Sequence, residues 1–140
     1  MSRPASFRLP EDLLQRIDEE AAERQTSVTA LVSMLLDEGL KTRRFPGIVY
    51  RDGPTGRRAG LLGGPDVWEL IVALRAMPGR GEQRLRRLAS ELGLQASQVH
   101  AALDFYAEHP GEIDERIAAN ERTAKRLRIS VQRRDRLLSR

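Results

Sequence analysis

Seven residues near the start of the chain limit what the rest can be. Pro4-Ala5-Ser6-Phe7-Arg8-Leu9-Pro10 alternates, with Ala5, Phe7 and Leu9 on one face of a strand and Ser6 and Arg8 on the other. Two amphipathic helical patterns follow at once. A lone strand that feeds only helices has no partner within its own chain. Its backbone donors and acceptors must pair elsewhere, most simply with the same strand of a second copy. The feature therefore predicts a homodimer, and the polar face of such a ribbon is free to enter the major groove of DNA.

The first helix is expected from Glu11 to Arg24. Pro10 sits where a missing N–H costs nothing, Glu11 and Asp12 suit the positive end of the helix dipole, and Leu13, Leu14, Ile17, Ala21 and Ala22 give the apolar stripe. Gln25-Thr26 breaks the pattern. Ser27 is a good N-cap for a second helix from Val28 to about Leu40, with Val28, Leu31, Val32, Leu35 and Leu36 apolar, Gly39 near its end, and Lys41, Arg43 and Arg44 beyond it.

The stretch from Phe45 to Pro65 holds more than half of the glycines. It reads as a hairpin: Ile48-Val49-Tyr50, a turn over Asp52 to Gly56, and a return strand from Arg58 to Leu62. A helix capped by Asp66 follows, with Trp68, Ile71, Val72 and Leu74 on its apolar face, and Pro78-Gly79-Arg80-Gly81 stops it. Next come a helix from Glu82 to Leu92, a turn at Gly93-Leu94, and a helix from Gln95 or Ala96 to Glu108. In this helix-turn-helix spacing Ala89 permits close approach and Val99 packs back. His109-Pro110-Gly111 ends the unit. A last helix from Glu112 is expected to reach about Leu127 and then fray into a mobile or partner-ordered end.

Composition excludes several classes. With no cysteine, disulfides and thiolate metal sites are ruled out. No apolar run approaches the ~20 residues that span a bilayer, and no signal peptide precedes the fold. A cytoplasmic protein with no membrane partner is expected, and 22 Arg against 2 Lys suggests a high-GC bacterium. The net charge of +4 comes from residues 112–140, which carry 9 basic and 5 acidic groups. Such a tail suits a polyanion or an acidic protein surface, or is simply a solvated charged helix.

The N-terminal run from Ser6 to Leu40, SFRLPEDLLQRIDEEAAERQTSVTALVSMLLDEGL, resembles the ribbon-helix-helix family of CopG, Arc and MetJ type, over about a quarter of the chain. The resemblance implies two strands paired antiparallel across a dimer, with outward side chains reading bases. Ser6 and Arg8 would be the base readers, Arg8 by two hydrogen bonds to guanine. Arg3 would sit at the ribbon edge, and Ser27, Val28 and Thr29 would clamp a phosphate at the helix N-terminus. Pro4 stands where many relatives carry a polar reader, which shortens the ribbon. Residues 45–125 resemble, more distantly, a hairpin-plus-helix domain of antitoxins encoded beside nuclease-like toxins of the PIN superfamily. The carriers are the Gly-rich hairpin, the two-helix turn and HAALDFYAEHPGEIDERI, although the hairpin lacks the Gly-Thr-Arg-Ile of typical members.

Three readings of the two-helix turn stay open: a compact core with polar caps, a second DNA contact, or a protein-binding surface. As a DNA contact it would use Gln95, Ser97 and Gln98, with Arg57, Arg58 and Arg84 on phosphates. As a partner surface it would use Phe105, Tyr106, Ile113, Ile117 and Leu127. Catalysis is not expected, because His100 and His109 lack a second pair at ligand spacing and no glycine run matches a phosphate loop. No cofactor or metal is expected.

The expected fold is mainly α. Residues 1–44 form a ribbon-helix-helix that makes an intertwined dimer and binds DNA, residues 45–111 a small β-hairpin plus helix-turn-helix-like domain, and residues 112–140 a basic C-terminal tail helix. The expected function is a nucleoid-associated transcriptional repressor that binds double-stranded operator DNA as a homodimer, as the antitoxin of a type II toxin–antitoxin pair with a PIN-like toxin partner. The alternative is a stand-alone regulator, or a plasmid- or nucleoid-maintenance protein, with a second DNA contact in the C-terminal domain.

Overall fold

Pro10, with φ −55° and ψ 145°, starts helix α1 (Glu11–Glu23), and the Leu14 N–H returns to its carbonyl at 3.0 Å. The computed structural model describes residues 1–140 and divides them into two units, 1–44 and 45–140. In the first unit α1 ends in a Schellman turn. Thr26 donates to the Ala21 carbonyl and Gln25 to that of Ala22, which puts Gln25 in the left-handed region at φ 53°. Helix α2 (Val28–Arg44) follows and packs on α1 through Leu31 and Ala21. It runs a full turn past the Leu40 end expected from sequence, with Gly39 inside it. A Lys41–Asp37 ion pair at 2.7 Å and a basic last turn support the extension against the cost of the glycine, about 1 kcal/mol.

Residues 1–10 are neither helix nor strand, and every one is exposed. The alternating run 4–10 thus makes no ladder within its own chain. Around it the first unit leaves Phe7, Leu14, Val28, Leu35, Leu36 and Leu40 exposed, the last at 71 %.

The second unit opens with strands β1 (Ile48–Arg51) and β2 (Arg58–Leu61), paired antiparallel in the register Ile48↔Leu61 to Arg51↔Arg58. Their inward residues Ile48, Ala59 and Leu61 join a core built by α3 (Val67–Ala76), α4 (Gly81–Leu92), α5 (Ala96–Glu108) and α6 (Pro110–Leu138). The α4–α5 turn is a second Schellman motif. Leu94 donates to the Ala89 carbonyl at 2.8 Å, with Gly93 at φ 67°. Phe105 lies at the centre, fully buried, with Phe45 against its ring edge at 5.4 Å.

Three expectations are corrected here. Asp66 stands at the N-cap position of α3 but makes no side-chain cap. Its buried carboxylate instead accepts from Arg51 at 2.7 Å, from Trp68 Nε1 at 3.2 Å and from Arg58. Two guanidinium groups outcompete one backbone N–H for a carboxylate. Gly60 makes room for this, since a Cβ there would overlap the Arg51 guanidinium. Val72, assigned to the apolar face of α3, is exposed, whereas Leu70 is buried. Finally, the C-terminal segment is not a separate region. Helix α6 begins at Pro110, packs Ile113 and Ile117 into the core, and continues unbroken to Leu138. After Gly111 it meets no Gly or Pro, and Ala, Arg, Lys, Leu and Gln are strong helix formers. No helix is long and apolar enough to cross a membrane.

Candidate nucleic-acid interface

The first unit presents its candidate readers without obstruction. Arg3, Ser6 and Arg8 are exposed on the segment before α1. At the start of α2, Ser27 Oγ accepts the Ala30 N–H at 3.1 Å, the N-cap bond expected of it. Capping takes up one of the orphan donors of that helix end. Val28 and Thr29 stay exposed in a first turn that carries no acidic residue, so the positive end of the α2 dipole is not neutralised. A phosphate oxygen would meet backbone N–H groups there with no carboxylate to repel it.

The second unit consumes most of the side chains assigned to it. Arg84, placed on a phosphate by the sequence reading, turns inward and donates to the Leu74 carbonyl, and its Nε is buried without a partner. Arg58 is held by Asp66, and Arg57 pairs with Asp52 at 3.1 Å. Gln95 and Gln98 close a capping box on each other across the first turn of α5, with Gln98 accepting the Gln95 N–H at 2.9 Å. Of the three α5 readers only Ser97 is unengaged and exposed. Nearby, His100 meets Glu82 at 2.9 Å, and Arg86 and Arg87 each lie beside an acidic residue one turn away. Within the helix pair, Arg86 and Arg87 thus face carboxylates and Arg84 a backbone carbonyl.

The assigned partner surface is also corrected. Phe105, Ile113 and Ile117 are buried in the core, since α6 folds back on α3 and α5. Tyr106 is half-buried, donates to Asp114 at 2.8 Å and accepts from Arg75 at 2.9 Å. Its hydroxyl is pushed above its usual pKa, chiefly because ionisation would lose the bond to Asp114. Leu127 alone of that set is exposed.

Sequence reasoning missed the polar contacts that fix α6. Arg116 donates to the Thr55 and Arg57 carbonyls of the hairpin turn at 2.7 and 2.9 Å, and Tyr50 donates to Glu112 at 2.8 Å. They join residues about sixty positions apart, and no local pattern marks them. It also missed the reach of α6. From Lys125 to Arg140 every residue is exposed on a helix that runs to Leu138. No group of acidic residues or histidines suited to a metal ion is present. No family model matches the chain, and no curated protein or solved structure matches it.

Proposed function

We propose that the chain is a homodimeric, sequence-specific DNA-binding repressor of the ribbon-helix-helix kind, serving as the antitoxin of a type II toxin–antitoxin pair. One observation carries the dimer and the ribbon together. The first unit exposes Phe7, Leu35, Leu36 and Leu40 together with a ten-residue segment that enters no strand ladder within its own chain. A second copy would cover the apolar groups, at about 1.5–3 kcal/mol for each leucine fully buried, and would supply the missing ladder. Pairing Phe7 and Leu9 inward turns Ser6 and Arg8 outward, where Arg8 can take a guanine edge. The start of α2, with no acidic residue in its first turn, then fits a flanking phosphate.

The antitoxin setting rests on the distant resemblance of the second unit, together with its hairpin and two-helix turn. Under the competing reading, a stand-alone regulator with a second DNA contact, α5 would have to read bases. The engagement of Arg84, Gln95 and Gln98 within the protein speaks against that use.

Selection of bound duplexes from a random-sequence pool, followed by gel shifts on the selected site, tests the reading. Arg8→Ala should weaken binding to that site by about 1–3 kcal/mol and relax its base preference. If specific binding survives the change undiminished, the ribbon is not the reader. Co-purification of a nuclease-like protein encoded next door tests the antitoxin role.

A further inference from the structure

We infer that the exposed part of α6 is a second, sequence-independent DNA contact that lies along the phosphate backbone. This rests on the reading that DNA is the ligand, but not on the ribbon being the reader. Residues 118–140 carry eight basic and two acidic groups, a net +6, while the rest of the chain sums to −2. At 1.5 Å per residue Ala118–Leu138 spans about 30 Å. The charge is also ordered. At 100° per residue Arg122, Arg126, Arg133 and Arg136 fall within an arc of about 80°. Ala124, Leu127, Val131 and Leu138 fall on the opposite side, continuing the stripe that Ile113 and Ile117 bury in the core. Each of the four arginines is exposed and pairs with no carboxylate of this chain.

An arrangement of this kind is costly by itself. Arg122/Arg126 and Arg133/Arg136 are like-charge neighbours one turn apart, each pair opposing the helix by about 0.2–0.5 kcal/mol. A polyanion running along the face removes that repulsion. Duplex DNA offers a phosphate every ~1.7 Å of its axis, and guanidinium groups hold phosphate oxygens two at a time.

Other occupants fit less well. Two copies pairing through the apolar side would bring two +6 helices together and bury Arg134 in the stripe. A membrane surface would need a broader apolar face. This one has a few aliphatic residues, no aromatic ring, and Ile129 displaced among the arginines. An acidic protein would need several apolar anchors on the basic side, which offers Ile129 and, at its edge, Leu137.

The test uses the full chain and a duplex of scrambled sequence, titrated by fluorescence anisotropy between about 50 and 200 mM salt. The triple variant Arg126→Gln, Arg133→Gln, Arg136→Gln should bind more weakly at low salt. Its loss of affinity across that range should be about 40-fold smaller than for the wild type, since three phosphate contacts leave the salt slope. Replacing the same three residues by lysine should keep the slope, and equal helix content by circular dichroism in all three proteins excludes an unfolding effect. The glutamine variant should keep the base preference on the selected duplex that Arg8→Ala relaxes, so a failed ribbon and a failed α6 contact give different results. An unchanged slope in the glutamine variant overturns the inference. So does loss of slope in the lysine variant, or binding to phosphatidylserine vesicles without binding to the duplex.

Discussion

The two units solve the burial problem differently. Residues 45–140 close a core of fourteen buried hydrophobic side chains contributed by the hairpin and four helices. Residues 1–44 bury Ala21 and Leu31 among their hydrophobic residues and leave Phe7, Leu35, Leu36 and Leu40 among those exposed. A unit of about forty residues without cysteine or metal rarely stands alone and generally needs a partner surface. The first unit's apolar residues are not fewer but two-sided: one side joins α1 to α2, and the other faces outward. That difference separates a unit that buries its apolar side chains within itself from one that leaves an apolar side exposed.

Two substitutions break this contrast from opposite ends. Leu36→Asp places a carboxylate in the face assigned to the second copy while leaving the core of residues 45–140 untouched. In sedimentation equilibrium at micromolar concentration the wild type should be a dimer and the variant a monomer. Affinity for the selected duplex should fall about a thousandfold, roughly 4 kcal/mol. A wild type that is monomeric throughout would sink the two-sided reading of the first unit. Phe105→Ala acts on the closed core, where the ring is wholly buried against Phe45 and His109. It should cost about 3–5 kcal/mol in chemical denaturation, without moving the monomer–dimer equilibrium of the protein that remains folded. If dimer strength falls with it, the units are not energetically separate.

Local patterns were legible where the governing forces are local. The hairpin strands, the Ser27 cap and the Gly93 turn each follow from a few neighbouring residues, and they sit within a residue or two of where the sequence puts them. The errors arise where a distant residue decides. Asp66 reads as a cap until Arg51 and Arg58 arrive from the hairpin. Ile113 and Ile117 read as a partner surface until α6 folds back on α3. Arg84 has the chemistry of a phosphate contact, but the Leu74 carbonyl, ten residues back, takes it first. The length of α6 was hidden for another reason. Its propensity is high throughout, but the periodicity used to find helices fades once the helix leaves the core. For the ribbon, the alternation of residues 4–10 is plain in the sequence, and a single chain offers it no ladder to enter.

The finest test of the contrast lies in the two Schellman turns, one in each unit. They share their hydrogen bonds, but Gly93 holds the left-handed position in one and Gln25 in the other. Left-handed backbone costs a side-chain-bearing residue about 1–2 kcal/mol, whereas glycine adopts it freely. Gly93→Ala should therefore destabilise the second unit by about 1 kcal/mol. A methyl group there would meet nothing within 4 Å, which leaves backbone strain as the cause. Gln25→Gly should do the reverse. It relieves the strain but gives the unfolded chain more freedom, for a net gain of about 0.5 kcal/mol. In a dimer held by the first unit, that gain should appear as a small rise in the concentration-dependent melting transition, with the other transition unmoved. Should Gln25→Gly destabilise instead, its side chain contributes something to the α1–α2 turn beyond its backbone angle.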